Sequence, residues 1–349
     1  MRLSFIILIS FLHVYFLSDD FHRGQGYMRE KLDSAHVPLL GEYDDSDPKT
    51  IAQHLEWSRQ ANIKLWVTSW WGKNTREDKT TKKEILKHPD LGDHRIALFY
   101  ETTGRIKKAE NYTTHRVVPD IEYICESYFN HPNYLRIDGR PVLFVYLTRK
   151  LETLGIMEDV IALMRYAAQK SGYDIFIVGD HVFSTAPDEE YYPPFTVLDA
   201  VTNYDVYGSM GVKGGYAGME GVIRHYQKQR EWREHALDHG CAFLPSASPG
   251  YNDLGVRPEK KHFPLSRRLT ANDRSGSLFQ AVLREARYLV DSSVQNLLIV
   301  NSFNEWHEDT QIEPVVGTTT SSPFNFTYGL EYEGYGELYL NILRQETED

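Results

Sequence analysis

The sequence predicts an α/β fold and, within that class, a (β/α)8 TIM-type barrel. Short apolar runs alternate with longer segments of helical spacing from residue 40 onward, which favours a parallel sheet covered by helices. Seven β segments can be recognised and an eighth would precede residue 40, which favours a closed barrel over an open sheet. No Gly-rich phosphate loop opens the first helix, and this argues against a dinucleotide-binding fold.

The predicted elements follow one another in a regular order. Asp47 and Pro48 form a helix start, with Asp as the N-cap and Pro in the first turn. Strands are predicted at 64–69, 95–100, 141–146, 174–180, 198–204, 241–247 and 296–301. Further helices are predicted at 77–88, 117–129, 157–170, 217–239 and 277–292. Most strands are therefore followed by a helix, as in repeated βα units.

Residues 1–20 allow three interpretations. Met1 and Arg2 precede an apolar stretch from Leu3 to Leu17, which is typical of a secretory signal peptide or a membrane anchor. The same stretch also fits a divergent first barrel strand, whereas a removed signal would leave that strand missing. No low-complexity linker divides the remainder, so we expect residues 21–349 to form one domain.

The composition indicates which classes of molecule the protein is expected to bind. The formal net charge of -11 argues against nucleic acid and anionic membrane surfaces. The 23 Tyr and 6 Trp suit sugar binding, although they also suit an aromatic-rich core. Asn111 and Asn325 each begin a glycosylation sequon, which fits a secretory route. Cys125 and Cys241 cannot define a disulfide framework, and we expect both to be buried thiols.

A short acidic motif carries the functional prediction. Asn304-Glu305-Trp306-His307-Glu308 follows an apolar run, 297–300, that is predicted to be a buried strand. Catalytic groups collect at the C-terminal ends of the strands in parallel α/β folds. Two carboxylates beside an aromatic ring are the groups that cleavage of a sugar acetal needs. An exposed acidic loop with Trp306 packed beneath it is the alternative.

Other polar and aromatic residues follow predicted strands in the same way. They are Trp71, Glu101, Tyr204 and Tyr251, which join Glu305 and Glu308. A barrel collects these positions on one face, where neighbouring carboxylates raise one another's pKa values and keep one acid protonated. The sequence therefore predicts one site formed by three glutamates and several aromatic residues.

At this point the chain resembles a known family. The matching stretches are Gly41-Glu42-Tyr43-Asp44-Asp45-Ser46-Asp47-Pro48, Ser69-Trp70-Trp71-Gly72, Phe99-Tyr100-Glu101, Asn130-His131-Pro132, 140–146, 245–253 with Arg257-Pro258, and 302–313. In their order and spacing they resemble glycoside hydrolase family 99, which contains endo-α-mannosidases and endo-α-1,2-mannanases. The resemblance runs from about residue 38 to the C-terminus.

The resemblance implies a retaining endo-glycosidase that acts on internal α-mannosidic linkages without a cofactor or a metal. Glu305 would deprotonate the 2-hydroxyl of the reacting sugar, which then forms a 1,2-anhydro sugar, and Glu308 would protonate the leaving oxygen. The predicted substrate-binding residues are Trp71, Glu101, Tyr204, Tyr251 and Trp306. A Trp at position 71 resembles the bacterial mannanases, whereas the animal Golgi endomannosidases have Tyr there.

Two features depart from the family pattern. Asp309 stands where the family usually has Gly, which adds a third acid and removes a residue suited to positive φ. The stretch 3–17 also lacks the aromatic pattern of the family's first strand, and an absent strand would leave the barrel open and its pocket incomplete.

Alternatives to an active mannosidase remain open at this stage. A catalytically impaired, carbohydrate-binding relative is favoured by the divergent N-terminus and disfavoured by the presence of both Glu305 and Glu308. A metal site at Glu305, His307 and Glu308 is disfavoured because no His-Glu-x-x-His motif or Cys pair accompanies it. The expected protein is a monomer that binds oligomannoside or mannan, either secreted or anchored in the Golgi membrane. The sequence does not distinguish N-glycan from mannan.

Overall fold

Parallel strands make up the centre of the fold. The computed structural model describes residues 8–10 (backbone only), 36–41, 43–106, 114–186, 193–204, 210, 214–254, 262–319 and 330–347. The strands are β1 Leu8–Ser10, β2 Leu65–Trp70, β3 Arg95–Tyr100, β4 Arg136–Ile137, β5 Arg140–Val145, β6 Phe176–Asp180, β7 Ala200–Thr202, β8 Ala242–Leu244, β9 Ser246–Ala247 and β10 Ile299–Val300.

The strands close into a barrel. Within the described residues they pair in parallel in the order β1-β2-β3-β5-β6-β7-β8, and β4 is a short antiparallel partner of β5. Beyond Pro245 the chain passes from β8 into β9, which pairs in parallel with β10. Because β10 in turn lies beside β1, the ring has eight strand positions. The predicted (β/α)8 fold class is confirmed.

The first strand lies within the apolar N-terminal stretch. The backbone of β1 pairs in parallel with β2, with Leu8 opposite Trp66 and Ser10 opposite Thr68. Of the three interpretations of residues 1–20, this pairing matches the divergent first strand. Its position between β2 and β10 is the one through which the barrel closes.

Helices pack around the strands. They are α1 Pro48–Gln60, α2 Arg76–Lys79, α3 Thr102–Arg105, α4 Val117–Ser127, α5 Thr148–Thr153, α6 Met157–Lys170, α7 Pro193–Val197, α8 Gly218–Asp238, α9 Ser277–Ala286 and α10 Leu338–Thr347. Short 3-10 turns lie at Pro89–Leu91, Arg287–Leu289, Ser292–Val294 and Trp306–Glu308. Among these described helices none is long and apolar enough to span a membrane.

Local sequence explains most of these elements. The side chain of Asp47 accepts a hydrogen bond from the Lys49 amide at the start of α1, as the predicted cap requires. Every residue of β2 is buried, since a barrel strand faces side chains on one side and helices on the other. The helix predicted at 77–88 is not a continuous α-helix in the structure. The short helix α2 is followed directly by a π-helix, Thr80–Ile85, in which both Thr80 and Thr81 are buried.

The cysteines and the sequons can be compared with their predictions. Cys125 and Cys241 are free, buried thiols, as expected, and burial raises the pKa of Cys125 to about 11. Asn111 and Asn325 lie outside the described residues.

Candidate active site

The C-terminal ends of the barrel strands gather polar side chains. Trp71 follows β2, Glu101 follows β3, Tyr204 comes two residues after β7 and Glu305 lies a few residues beyond β10. Asp180, which the sequence analysis did not single out, is the last residue of β6. Because all these strands run in parallel around one barrel, their last residues share one face.

Glu305 and Glu308 lie in one tight turn. Glu305 precedes the 3-10 turn Trp306–Glu308, and its Oε1 accepts a 3.0 Å hydrogen bond from the His307 amide. The Glu305 amide donates to Oγ of Ser302 over 2.8 Å, which ties the start of the turn to the end of the last strand. Glu305 is 5% exposed, whereas Glu308 is half-buried. The two carboxylates therefore occupy different environments, which gives two roles a physical basis.

Asp309 ends this turn in the left-handed conformation, with φ of 53°. Its Oδ1 accepts hydrogen bonds from Nδ1 of His36 at 2.9 Å and from Nε2 of Gln311 at 3.1 Å. Nη2 of Arg267 lies 3.3 Å from the same oxygen and donates to the Asp309 carbonyl at 2.9 Å. Asp tolerates positive φ better than most residues. The departure from Gly therefore keeps the turn and adds a buried ion pair.

Glu101 is a buried carboxyl group, and the charge of Glu305 in the acidic turn contributes to its raised pKa. It is 1% exposed, and Oγ of Ser69 on the neighbouring strand donates a 2.6 Å hydrogen bond to its Oε1. Burial raises the pKa of Glu101 to about 8; the Ser69 hydrogen bond opposes this, and the charges of Asp180 and Glu305 add to it. A like charge nearby disfavours the ionised form of a carboxyl group and so raises its pKa. Glu101 and Glu305 lie at the same end of the barrel, and their membership of one site stays a prediction.

The Asp180 carboxylate binds the main chain at Tyr204 and at Leu147. Its two oxygens accept hydrogen bonds, each 3.0 Å long, from the amides of Leu147 and Tyr204, and Nη1 of Arg149 lies 3.5 Å away. The Tyr204 ring meets Tyr146 edge to face, with ring centroids 5.7 Å apart. Asp180 ends the predicted strand 174–180, so the rule that selected Glu101 from its strand end could also have found Asp180.

Trp71 lies against the segment that follows Glu101. Its carbonyl accepts a hydrogen bond from Nη1 of Arg105 at 3.2 Å, and its ring packs directly on Gly104 of α3. A Cβ atom built on Gly104 would come within 2.4 Å of Cε3 of Trp71. The half-buried Trp71 ring therefore occupies the space that a side chain at position 104 would fill.

Tyr251 and Trp306 are both buried. Tyr251 is 0% exposed and pairs with Leu265 in a short antiparallel bridge. Trp306 is buried, and its Nε1 donates to Oε2 of Glu313 at 3.1 Å. Next to Tyr251, the Asn252 amide donates to the Glu308 carbonyl at 2.8 Å. Trp306 is therefore part of the acidic turn and Tyr251 lies next to a residue bonded to it, and their contact with substrate stays a prediction.

Comparison with known proteins identifies the family. The model of glycosyl hydrolase family 99 matches residues 15–349. The chain belongs to glycosyl hydrolase family 99. It is accordingly a glycoside hydrolase, as the motifs indicated.

Curated relatives of this family 99 member match most of the chain at low identity. The glycoprotein endo-alpha-1,2-mannosidase of Mus musculus is 25% identical over 340 residues, which cover 95% of this chain and 67% of the mouse protein. The glycoprotein endo-alpha-1,2-mannosidase-like protein of Homo sapiens is 23% identical over 345 residues, covering 95% and 68%.

Solved structures give the same fold. The GH99 endo-alpha-mannosidase of Bacteroides thetaiotaomicron, in complex with BIS-TRIS-propane, superposes with a TM-score of 0.65 at 22% identity, covering 98% of this chain and 96% of the other. A glycoside hydrolase-like protein superposes with a TM-score of 0.68 at 18% identity, covering 99% and 94%. At such identities the likeness establishes the barrel and leaves the chemistry to the site residues.

Proposed function

We propose that this glycoside hydrolase is an endo-acting, retaining α-mannosidase that cleaves internal α-mannosidic linkages of N-glycans or mannan. The observation that carries the proposal is the pairing of Glu305 and Glu308 in one tight turn, with the charge of Glu305 reaching Glu101. The names of the mouse and bacterial relatives give the linkage type. Oligomannoside is the substrate class that this proposal assigns, and the protein acts as a monomer.

The first step uses the neighbouring hydroxyl of the sugar as the nucleophile. Glu305 accepts the proton of the 2-hydroxyl, and that oxygen forms a bond to the anomeric carbon. The bond between the anomeric carbon and the leaving oxygen breaks, and the leaving oxygen takes the proton of Glu308. The product is a 1,2-anhydro sugar, a substrate-assisted variant of the two-carboxylate scheme.

The second step reverses the proton movements. Glu308, now ionised, takes a proton from water, and the water oxygen bonds to the anomeric carbon as the 1,2-anhydro ring opens. Glu305 returns its proton to the 2-oxygen. Each step inverts the anomeric carbon, so the configuration is retained overall. The ionised role suits Glu305, whose Oε1 accepts an amide hydrogen bond, and the exchange with water suits the more exposed Glu308.

The remaining site residues bind and orient the sugar. Glu101, with its pKa raised to about 8 by burial, is protonated at neutral pH and can donate a hydrogen bond to a sugar oxygen. Trp71 offers a ring face at the neighbouring subsite, since sugar faces stack on aromatic rings. Tyr204 lies near the reacting sugar in this proposal, with Tyr251 beside the turn and Trp306 within it.

The cellular route is a separate part of the proposal. Two sequons, at Asn111 and Asn325, favour a protein of the secretory pathway. The relatives' names place glycoproteins among the substrates of those proteins, which favours the same route. A loss of mass after enzymatic removal of N-glycans from the protein made in a eukaryotic secretory host would support it, and an unchanged mass would oppose it.

One experiment tests the activity and selects the substrate. Purified protein is incubated separately with α-1,2-linked mannan and with a glucosylated oligomannose, and the products are sized. We expect internal cleavage that releases oligosaccharides, and the better substrate identifies the class. Release of single mannose units would contradict endo action, and intact substrate in both reactions would favour the carbohydrate-binding alternative. Protein carrying Glu308→Gln is the control for contaminating glycosidases.

A further inference from the structure

A further buried carboxylate, that of Glu313, contacts the acidic turn. Glu313 is 0% exposed, and its side chain accepts three hydrogen bonds. Oε2 accepts from the hydroxyl of Tyr43 at 2.7 Å and from Nε1 of Trp306 at 3.1 Å. Oε1 accepts from Nε2 of His54 at 3.1 Å. We call these four residues the Glu313 cluster.

The Glu313 cluster joins helix α1 and the segment before it to the acidic turn. Tyr43 precedes α1 and His54 lies within it, whereas Glu313 follows β10 by thirteen residues. Trp306 lies between Glu305 and Glu308, so the hydrogen bond from its indole acts inside the turn itself. The Glu313 amide also donates to the Phe303 carbonyl at 2.8 Å. Both its main chain and its side chain therefore restrain the turn.

Burying this carboxylate is costly unless its hydrogen bonds are made. An ionised group taken out of water loses its hydration, and only well-placed donors offset the loss. Three donors around two oxygens also fix the rotation of the carboxylate, and the carboxylate in turn fixes the plane of the indole. An apolar residue at 313 would pack in the same volume without directing Trp306. The hydrogen bonds of Glu313 therefore orient the Trp306 indole, which belongs to the acidic turn.

We propose that Glu313 is a positioning residue for the reaction, which holds the turn of Glu305 and Glu308 in register through the indole of Trp306. The kinetic part of this inference rests on the proposed function. Tyr43 and His54 set the orientation of the Glu313 carboxylate. Burial and the charge of Glu313 raise the pKa of Tyr43 well above its usual value, so its hydroxyl remains a donor at any pH of interest.

A remote carboxylate provides a matched control. Asp199 precedes β7, at the N-terminal end of that strand, opposite the face that carries the site. It accepts hydrogen bonds, each 2.8 Å long, from Nη2 of Arg140, Nη2 of Arg165 and the Ile177 amide. Asp199→Asn therefore weakens a hydrogen-bonded carboxylate of similar connectivity without touching the turn. This variant therefore separates a loss of protein stability from a displacement of the turn of Glu305 and Glu308.

The kinetic test compares Glu313→Gln with Asp199→Asn, both assayed well below their Tm values. The amide introduced by Glu313→Gln keeps the shape of the side chain but turns one acceptor into a donor, so a hydrogen bond of the cluster is lost. We expect kcat of Glu313→Gln to fall by about 100-fold with KM within about threefold, because a displacement of about 1 Å costs that much in rate. Asp199→Asn should lower Tm and keep kcat within about twofold. Unchanged kcat in Glu313→Gln would overturn the proposal.

A second measurement does not depend on activity. Hydrogen–deuterium exchange of the peptide spanning 302–312 reports the amides of His307 and Thr310, which are bonded to Glu305. We expect faster exchange there in Glu313→Gln and unchanged exchange in Asp199→Asn. Unchanged exchange in both would overturn the positioning role, whereas lack of wild-type cleavage would overturn the proposed function alone.

A milder variant covers the case in which Glu313→Gln does not fold. Tyr43→Phe removes one donor and leaves the buried carboxylate with Trp306 and His54. We expect the same pattern at lower amplitude, with kcat down by about threefold to tenfold and faster exchange in 302–312. Wild-type kcat together with wild-type exchange in Tyr43→Phe would count against the proposal.

Discussion

Oγ of Ser69 donates a 2.6 Å hydrogen bond to Oε1 of Glu101, joining the ends of two neighbouring barrel strands. The bond lies in the interior, where both residues are buried and where the charges of Asp180 and Glu305 act on the Glu101 carboxyl. Ser69 favours the ionised form, but burial outweighs it, and the pKa of Glu101 rises to about 8. The buried carboxyl of Glu101, whose pKa the charge of Glu305 helps to raise, is thus a neutral acid at pH 7.

The stability of the protein should depend on pH through Glu101. The pKa of Glu101 is about 8 in the folded state and near its ordinary value of 4.5 in the unfolded chain, so between these values the folded state binds more protons. Its contribution is complete below about pH 4.5 and is lost as the pH rises through 8, by up to about 1.4 kcal/mol per pH unit. We expect Glu101→Gln to unfold at higher urea concentration than wild type at pH 8, with a smaller difference at pH 5.

Exposed Glu220 on α8 provides the control for this pH dependence. Glu220→Gln makes the same chemical change at the surface and should leave the difference between pH 5 and pH 8 as in wild type. Parallel urea midpoints for wild type and Glu101→Gln across this range would show that Glu101 is ionised in the fold.

The packing of Trp71 on Gly104 gives a test of the neighbouring subsite. In Gly104→Ala the new methyl group would lie 2.4 Å from Cε3 of Trp71, so the ring must move. We expect KM for an oligomannoside to rise about 10-fold, equivalent to about 1.4 kcal/mol, with little change in kcat. Gly221→Ala is the control, because its nearest neighbour, Cβ of Ala217, lies at an ordinary 3.5 Å. An unchanged KM in Gly104→Ala would show that the Trp71 ring does not touch substrate.

Asp309 separates the effect of a turn conformation from that of a buried charge. Asp309→Gly suits the φ of 53° but leaves Arg267 without its carboxylate partner, whereas Asp309→Asn keeps the shape and removes the charge. Because breaking a buried ion pair costs about 3–5 kcal/mol, we expect both variants to lower the free energy of unfolding by roughly that amount. Urea denaturation measures it. Two variants as stable as wild type would mean that only the turn conformation matters.

The sequence predicted correctly those helices and strands that are determined by neighbouring residues. Helix 157–170 and strand 95–100 were predicted with their observed bounds, since hydrophobic period and length are properties of neighbouring residues. Helix α10, Leu338–Thr347, was missed although Leu340 and Leu343 pack on the core. The bridge between Ser69 and Glu101 spans 32 positions and that between Tyr43 and Glu313 spans 270. Such contacts have no signal in local spacing.

In the candidate site, too, positions along the strands could be predicted, whereas contacts between residues far apart in sequence could not. The rule that strand ends share a face was enough to place Glu101 and Glu305 at the same end of the barrel. It could not tell that the Tyr251 side chain would be wholly buried, because that depends on the bridge to Leu265, fourteen residues away. Nor could it tell that Asp309 would keep the turn, because its partners His36 and Arg267 come from distant parts of the chain.

Glu308→Gln tests the proposed roles of the two carboxylates, Glu305 as base and Glu308 as acid. The amide keeps the shape of Glu308 and has no proton to give, so we expect hydrolysis to fall at least about 1,000-fold, toward the upper part of the range for a lost general acid. Binding of an oligomannoside, measured by calorimetry, should stay within about threefold of wild type. A glycosyl fluoride has a leaving group that needs no proton, and Glu308→Gln should therefore regain its first step on the fluoride. Glu305→Gln should not, since the 2-hydroxyl still needs its base. Recovery in Glu305→Gln and none in Glu308→Gln would mean that the two roles are exchanged.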